Sequence, residues 1–185
     1  MNGRGFYKKY GKALDVVASV IPSVIMAVPL SFFDSSESRF VVLLRYIFFK
    51  KVCESWAANV FIGRSTIIKS PDKLSVGENV SIHAFSYIDA AGSIRIGSNV
   101  SIAHSCSMVS FEHTWSDPHT PIKYNKVELK SITVEDDVWL GCSVRVLAGA
   151  YIERRVVVAA GAVVKGRLLS GHIYGGVPAK IIGKI

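Results

Sequence analysis

Aliphatic residues recur at intervals of six, with steps of eight from 68 to 76 and from 88 to 96, over the C-terminal two thirds of the chain. The positions in register are Ile62, Ile68, Val76, Ile82, Ile88, Ile96, Ile102, Met108, Val134, Leu140, Val146, Ile152, Val158 and Val164. Neither the 3.6-residue period of an α-helix nor the simple alternation of a β-strand produces this register. A fixed period of this kind predicts a solenoid, because stacked repeats bury one continuous core.

The other positions of each hexapeptide are also regular. The residue after the aliphatic one is often Gly, Ala or acidic, and a small or β-branched residue stands four positions on, as at Val80, Ala150 and Ala162. This pattern predicts a coil with three flat faces, in which the aliphatic side chain points inward and the small residue lets the chain turn. A β-sandwich with chance spacing is the alternative, and the six consecutive frames from 134 to 164 argue against it.

The repeat is interrupted between Met108 and Val134 by a polar and aromatic stretch. Connections of this length within a compact domain are usually functional. We therefore divide the chain into an N-terminal segment (1–58), a β-helix (59–168) with a loop at 109–131, and a C-terminal tail (169–185).

The N-terminal segment is apolar and basic. Residues 13–33 could span a bilayer if helical, but they contain Asp15, Pro22 and Pro29, and the second apolar run at 40–49 is too short to cross back. An interfacial helical hairpin on anionic lipid fits better, so residues 1–58 are expected to contact a membrane. A signal peptide and packing on neighbouring subunits are the alternatives.

The net charge of +8 favours an anionic partner. Residues 1–64 hold nine Lys or Arg against four Asp or Glu, so most of the excess lies near the N-terminus. No nucleic-acid-binding motif is present, so a membrane surface is favoured and nucleic acid is not expected. Cys53, Cys106 and Cys142 are widely spaced without a CxxC pair, which fits a reducing cytoplasm and predicts neither a disulfide framework nor a zinc site.

Four segments resemble the hexapeptide-repeat acyltransferases, especially the galactoside, maltose and capsular-polysaccharide O-acetyltransferases. They are IGSNVSIAHSCSMVSFEH at 96–113, DDVWLGCSVRVLAGAYI at 136–152, AAGAVVKG at 159–166 and GGVPAKII at 175–182. The resemblance covers roughly residues 59–185. It implies an all-β fold, a left-handed parallel β-helix with an N-terminal helical segment and a long catalytic loop, assembled as a homotrimer.

The resemblance also assigns roles to individual residues. His113 matches the loop histidine that acts as general base, and the backbone N–H of Cys142 matches the oxyanion donor. The positions expected to bind acetyl-CoA as cosubstrate, in a cleft between subunits, are Trp139, Gly141, Cys142, Ala160, Gly161, Lys165 and Lys180, with Arg167 and Lys184 as helpers. Acceptor contacts are expected at His83, Asp89, Trp115 and His119, and Asp117 and His119 could orient the loop.

The sequence therefore predicts an acetyl-CoA-dependent O-acetyltransferase that modifies a sugar hydroxyl of a glycan or polysaccharide precursor. We expect it in the cytoplasm, at the inner face of the plasma membrane, and expect no metal. An amino-sugar N-acetyltransferase is the first alternative. More remote ones are a γ-class carbonic anhydrase with His104, His113 and His119 on zinc, and a non-catalytic trimeric scaffold.

Overall fold

The computed structural model describes Val16 and residues 34–185. The membrane-contacting segment predicted at 1–58 therefore lies largely outside the described residues. Within 34–185 the chain forms one α-helix, α1 (Arg39–Val52), followed by twenty short β-strands. None of the helical stretches described is long and apolar enough to cross a bilayer.

Eighteen of the strands form three sheets that run the length of the molecule. Sheet A contains β1 (Ser55–Trp56), β4 (Leu74–Val76), β7 (Ile94–Ile96), β12 (Ile132–Val134), β15 (Tyr151–Ile152) and β18 (Arg167–Leu168). Sheet B contains β2 (Phe61–Ile62), β5 (Ser81–Ile82), β8 (Ser101–Ile102), β13 (Trp139–Leu140), β16 (Val157–Val158), β19 (His172–Gly175) and β20 (Lys180–Lys184). Sheet C contains β3 (Ile67–Lys69), β6 (Tyr87–Asp89), β9 (Ser107–Val109), β14 (Arg145–Val146) and β17 (Val163–Val164).

The chain visits the three sheets in the order A, B, C and then returns to A one level higher. Neighbouring strands in each sheet are parallel, except that β20 folds back antiparallel on β19. The remaining pair, β10 (Phe111–His113) and β11 (Val127–Leu129), is an antiparallel hairpin outside the coil. The predicted parallel β-helix with an N-terminal helix and a long loop is confirmed.

The aliphatic positions predicted to point inward fill the interior of this prism. All of them are buried except Ile68, which lies in the first coil and is partly buried. The small residues four positions later are also buried from the second coil onward, among them Val80, Ala150 and Ala162, whereas Thr66 in the first coil is partly buried. The predicted hexapeptide register is therefore correct along the whole coil.

The coil is longer at both ends than the predicted range of 59–168. It begins with β1, whose Ser55 and Trp56 pair with β4, inside the segment assigned to the N-terminal region. It ends with β19, which pairs with β16 and lies in the segment assigned to the tail. The six-residue period does not show these ends, because Trp56 and Tyr174 take the buried places that aliphatic residues fill elsewhere.

Helix α1 covers the open end of the first coil. The Ser38 hydroxyl accepts a hydrogen bond from Val41 N–H and so caps the helix. Ile47 and Phe49 are buried in the same cluster as the coil interior, and the Phe49 ring stacks on Trp56 with centroids 5.9 Å apart. The helix thus closes the end of the hydrophobic prism.

Three corners, named here by the sheets they join, carry the turns. Corner AB consists of residues 57–60, 77–80, 97–100, 135–138 and 153–156; corner BC of 63–66, 83–86, 103–106, 141–144 and 159–162; corner CA of 70–73, 90–93, 110–131, 147–150 and 165–166. Backbone hydrogen bonds connect successive turns of corner BC, from Phe85 to Arg64, Ser105 to Ala84, Ser143 to His104 and Gly161 to Cys142, with donor–acceptor distances of 2.8–3.0 Å. Corner BC is therefore a continuous hydrogen-bond ladder along the prism.

The burial of two leucines predicts that their alanine variants lose very different amounts of folding stability. Leu74 is fully buried in β4, whereas Leu129 on the hairpin is 55% exposed. We expect Leu74→Ala to lower the free energy of unfolding by about 2–5 kcal/mol, because it leaves a cavity in a packed interior, and Leu129→Ala to lower it by about 0.5 kcal/mol or less. Denaturant unfolding at matched protein concentration measures both, and equal losses would contradict the assigned core.

Candidate active site

Corner BC presents a flat surface at its fourth and fifth turns. Trp139 points outward from β13 between Ser101 and Val157, and its side chain is 54% exposed. A Cβ on Gly141 would lie 2.7 Å from the Ala160 nitrogen, so the two turns approach too closely for any larger residue at 141. The predicted positions Gly141, Cys142, Ala160 and Gly161 therefore lie together on corner BC, and Trp139 lies on the strand that leads into it.

Cys142 contributes an open backbone donor to this surface. Its carbonyl accepts a hydrogen bond from Gly161 N–H at 2.8 Å, while its own N–H meets no acceptor among residues 34–185. The neighbouring Cys106 differs, because it is buried and its thiol donates to the Gly141 carbonyl at 3.1 Å. Burial raises the pKa of the Cys106 thiol, which makes it a packing residue and not a nucleophile.

The loop of corner CA carries His113 on the hairpin of β10 and β11. His113 pairs with Val127, and its exposed ring meets Phe111 edge-on with centroids 6.4 Å apart. Just beyond it, the Thr114 hydroxyl and N–H both donate to the Lys126 carbonyl, at 2.6 and 3.0 Å. The histidine is therefore held on ordered backbone and remains accessible.

The tip of the loop is organised by Asn125, a residue that the sequence analysis missed. Asn125 is buried, and its side chain donates to the carbonyls of Thr120 and Asp117 and accepts from Asp117 N–H. The Asp117 carboxylate accepts from the Thr120 hydroxyl and from His119 N–H, and these bonds lower the pKa of Asp117. Asp117 therefore orders the loop backbone, and an Asp-Pro-x-Thr sequence facing a later Asn was the available indication.

The predicted base and oxyanion donor belong to different corners of the same prism. The loop with His113 leaves at corner CA, and Cys142 lies on corner BC, at the opposite end of the sheet C strands. His83, exposed, lies on corner BC in the second coil. Asp89 lies at the end of β6 toward corner CA, where its buried carboxylate accepts from Tyr87 hydroxyl and Ala91 N–H.

The basic residues and the exposed loop residues are also spread over the molecule. Lys180 begins β20 opposite Gly175, next to corner BC, whereas Lys165 lies exposed on corner CA. Arg167 is already paired with Glu153 at 2.7 Å and lies over the Tyr151 ring, so its proposed help with coenzyme phosphates loses support. Trp115 and His119 are exposed on the loop, and Trp115 contacts no aromatic neighbour in the part of the chain that is described.

The three histidines of the carbonic anhydrase alternative lie on two different corners. Across residues 34–185 there is no group of three His, Cys, Asp or Glu side chains arranged to hold a metal ion. His104 lies on corner BC, whereas His113 and His119 lie on the loop of corner CA. These three histidines, the ligands of the carbonic anhydrase alternative, are therefore not gathered in a single copy.

Comparison with known proteins gives matches in sequence. Residues 131–166 match the family described as bacterial transferase hexapeptide (six repeats). The chain is 34% identical over 114 residues to WbbJ of Escherichia coli (strain K12), named as an O-acetyl transferase of lipopolysaccharide biosynthesis, a match that covers 58% of each protein. It is 27% identical over 135 residues to gamma carbonic anhydrase 2 of Arabidopsis thaliana, covering 70% of this chain and 41% of that protein. The chain thus spans about half the length of these curated relatives.

Solved structures share the fold. The hexapeptide-repeat acetyltransferase VCA0836 of Vibrio cholerae, complexed with acetyl-CoA, matches with a TM-score of 0.75 at 23% identity, covering 86% of this chain and 85% of that one. A maltose O-acetyltransferase from Clostridium difficile 630 matches with a TM-score of 0.75 at 21% identity, covering 85% and 83%. The repeat and the fold together confirm the resemblance of this chain to the hexapeptide-repeat acyltransferases.

Proposed function

We propose that this chain is an acetyl-CoA-dependent O-acetyltransferase that modifies a hydroxyl of a glycan or polysaccharide precursor. The observation that carries the proposal is that a hexapeptide β-helix carries both an accessible loop histidine, His113 on corner CA, and an open backbone donor, Cys142 on corner BC. The names of WbbJ and of the maltose enzyme support an oxygen acceptor.

The chemistry follows from these two groups. The neutral His113 imidazole takes the proton of the acceptor hydroxyl, and the oxygen attacks the thioester carbonyl carbon. The tetrahedral oxyanion accepts a hydrogen bond from Cys142 N–H. When the intermediate collapses, the carbon–sulfur bond breaks, and the leaving coenzyme A thiolate takes the proton from the imidazolium. The products are an acetyl ester and free coenzyme A.

The surface of corner BC fits an extended acyl-coenzyme arm. Gly141 and Ala160 present little side chain, and Gly161 has a positive φ of 72° with no heavy atom within 4 Å of the place its Cβ would take. Backbone is thus exposed at Ala160 and Gly161, whereas Gly141 is buried and lets the two turns pack closely. The Trp139 side chain is exposed on the strand that leads into Gly141. Lys180 at the same corner offers a cation for coenzyme phosphate.

A second copy of the chain completes the site in this proposal. His113 and Cys142 lie on different corners of one prism, so a corner BC from one copy and a loop from its neighbour bring them together. Three prisms around an axis give three equivalent sites, which is the homotrimer expected from the family resemblance. Exposed Trp115, Ile122 and Tyr124 on the loop supply apolar contact area for such a neighbour.

We further propose that the protein works at the cytoplasmic face of the plasma membrane. The excess of Lys and Arg in residues 1–64 and the apolar stretch at 13–33 support contact with anionic lipid. An acceptor linked to lipid would then be presented beside the corners of the first coils.

His113→Ala tests the base. We expect turnover to fall by roughly two to four orders of magnitude, because the hydroxyl would lose its proton acceptor, with unchanged thermal stability. The assay measures release of coenzyme A thiol with hydroxyl and amine acceptors in parallel. The matched control is His172→Ala, a histidine at the end of the coil whose Nδ1 contacts the Ser170 carbonyl. Unimpaired turnover in His113→Ala would remove this residue from the mechanism, and faster transfer to amines would replace the hydroxyl by an amino-sugar acceptor.

Lys180→Ala tests the coenzyme-binding corner. We expect the KM for acetyl-CoA to rise about tenfold or more while the KM for acceptor stays nearly constant, because a phosphate loses its cation. Lys73→Ala is the control, since Lys73 lies in the first coil and donates to the Ala91 carbonyl. A larger change in the KM of the acceptor would contradict the phosphate role.

A further inference from the structure

A solvent-open cavity of about 500 Å³ lies on corner BC, below the proposed acetyl-transfer site. It is formed where the segment that precedes α1 passes beside the first three turns of that corner. Its lining consists of Ser35, Glu37, Arg64, Ala84, Phe85 and His104. None of these residues has a predicted role in acetyl transfer, and none takes part in the proposed reaction steps.

Phe85 is the unusual residue of this cavity. It has a positive φ of 62°, a conformation that costs a bulky side chain energy. The equivalent positions on the corner are Ser65, Ser105, Ser143 and Gly161, all small. The Phe85 ring is not used in the core, because 52% of it is exposed. A large apolar ring therefore stands in a strained turn and faces solvent in the single chain, where it can contact a bound molecule.

The cavity also contains one positive and one negative side chain, Arg64 and Glu37, so its net charge is close to zero. The Arg64 guanidinium lies 5.0 Å from the Phe85 ring centroid, and its Nε is 3.8 Å from the Glu37 carboxylate. A guanidinium offers donors and a carboxylate offers acceptors, so the pair can bind vicinal hydroxyl groups. The Phe85 ring face that Arg64 does not cover suits a pyranose ring, whose C–H groups carry partial positive charge toward the negative π face.

The cavity is also at the right distance from the proposed chemistry. His104 is joined to the turn of Cys142 by the hydrogen bond from Ser143 N–H to the His104 carbonyl. Phe85 is one coil further, so it lies roughly 10 Å from the oxyanion donor at the usual spacing of about 4.8 Å between strands. A sugar ring on Phe85 could therefore direct one hydroxyl toward the thioester.

We infer that this cavity binds a neutral hexopyranose unit of the acceptor, with Phe85 as stacking platform and the Arg64–Glu37 pair as hydroxyl clamp. The inference rests on the proposed function and deepens it. Phe85 determines specificity for the sugar ring and takes no part in bond making.

The test is direct binding of simple glycosides to the full chain saturated with coenzyme A. The probes are methyl glucopyranoside, galactopyranoside and mannopyranoside, with methyl glucuronide as an acidic counterpart, titrated by saturation-transfer NMR. We expect at least one neutral probe to bind, and Phe85→Ser to weaken it about tenfold. The serine matches the other corners, so the thermal midpoint of this variant should not fall.

Leu169→Ser is the control, because Leu169 is similarly exposed but lies at the opposite end of the coil. It should leave glycoside affinity unchanged, and acetyl-CoA affinity, measured by calorimetry, should be unchanged in both variants. The inference is overturned if no neutral probe binds, if Phe85→Ser binds like the parent, or if only the glucuronide binds and Arg64→Gln abolishes it. Neutral glycoside binding that depends on Phe85 without any acetyl-CoA affinity would retain the cavity assignment and refute the acetyltransferase.

Discussion

The filling of a three-sided prism by one inward aliphatic side chain per hexapeptide governs the whole structure. Because the strands of the coil before β19 have only two or three residues each, the inward aliphatic side chains fill the interior along the axis of the prism. The outward positions on the faces alternate with the buried ones and have little shape of their own. Chemistry is therefore confined to the corners and to insertions at corners, which is where the flat surface at Gly141 and the loop with His113 both lie.

The corner turns require positive φ angles, which cost energy for residues other than glycine. A bulky residue at such a position is therefore informative. Many turns place a non-glycine residue at positive φ, and most of these are Asn, Asp or Ser, which tolerate it. On corner AB the side chains of Asn59, Asn79 and Asn99 also bond to one another, with nitrogen–oxygen distances of 2.7–2.8 Å. The ladder recovers part of the turn cost. The Phe85 ring takes part in no such side-chain ladder, and its contact is with the Arg64 guanidinium in the cavity.

Periodicity predicted the coil and its interior well, because burial in a solenoid depends only on position within the six-residue frame. Periodicity did not predict features that depend on contacts between coils or within the loop. The burial of Asp89 comes from the fold of corner CA, where the Ser110 hydroxyl donates to the Asp89 carbonyl at 2.8 Å. The role of Asn125 depends on contacts with Asp117 and Thr120 that only a folded loop brings together. The cavity under Phe85 needs residues 35–37, which no repeat relates to corner BC.

The separation of His113 from Cys142 follows from the same geometry. An insertion at corner CA and a turn of corner BC are divided by a whole strand of sheet C, and the hairpin of β10 and β11 holds His113 in its own ladder with Val127. Aliphatic side chains fill the interior of the prism, so two of its corners cannot approach each other without disrupting that packing. Joining the two groups therefore costs least when a second prism lies alongside. The same packing would enclose the cavity of Phe85 and Arg64 on its open side, so one interface would exclude water from the thioester and complete the wall around the sugar.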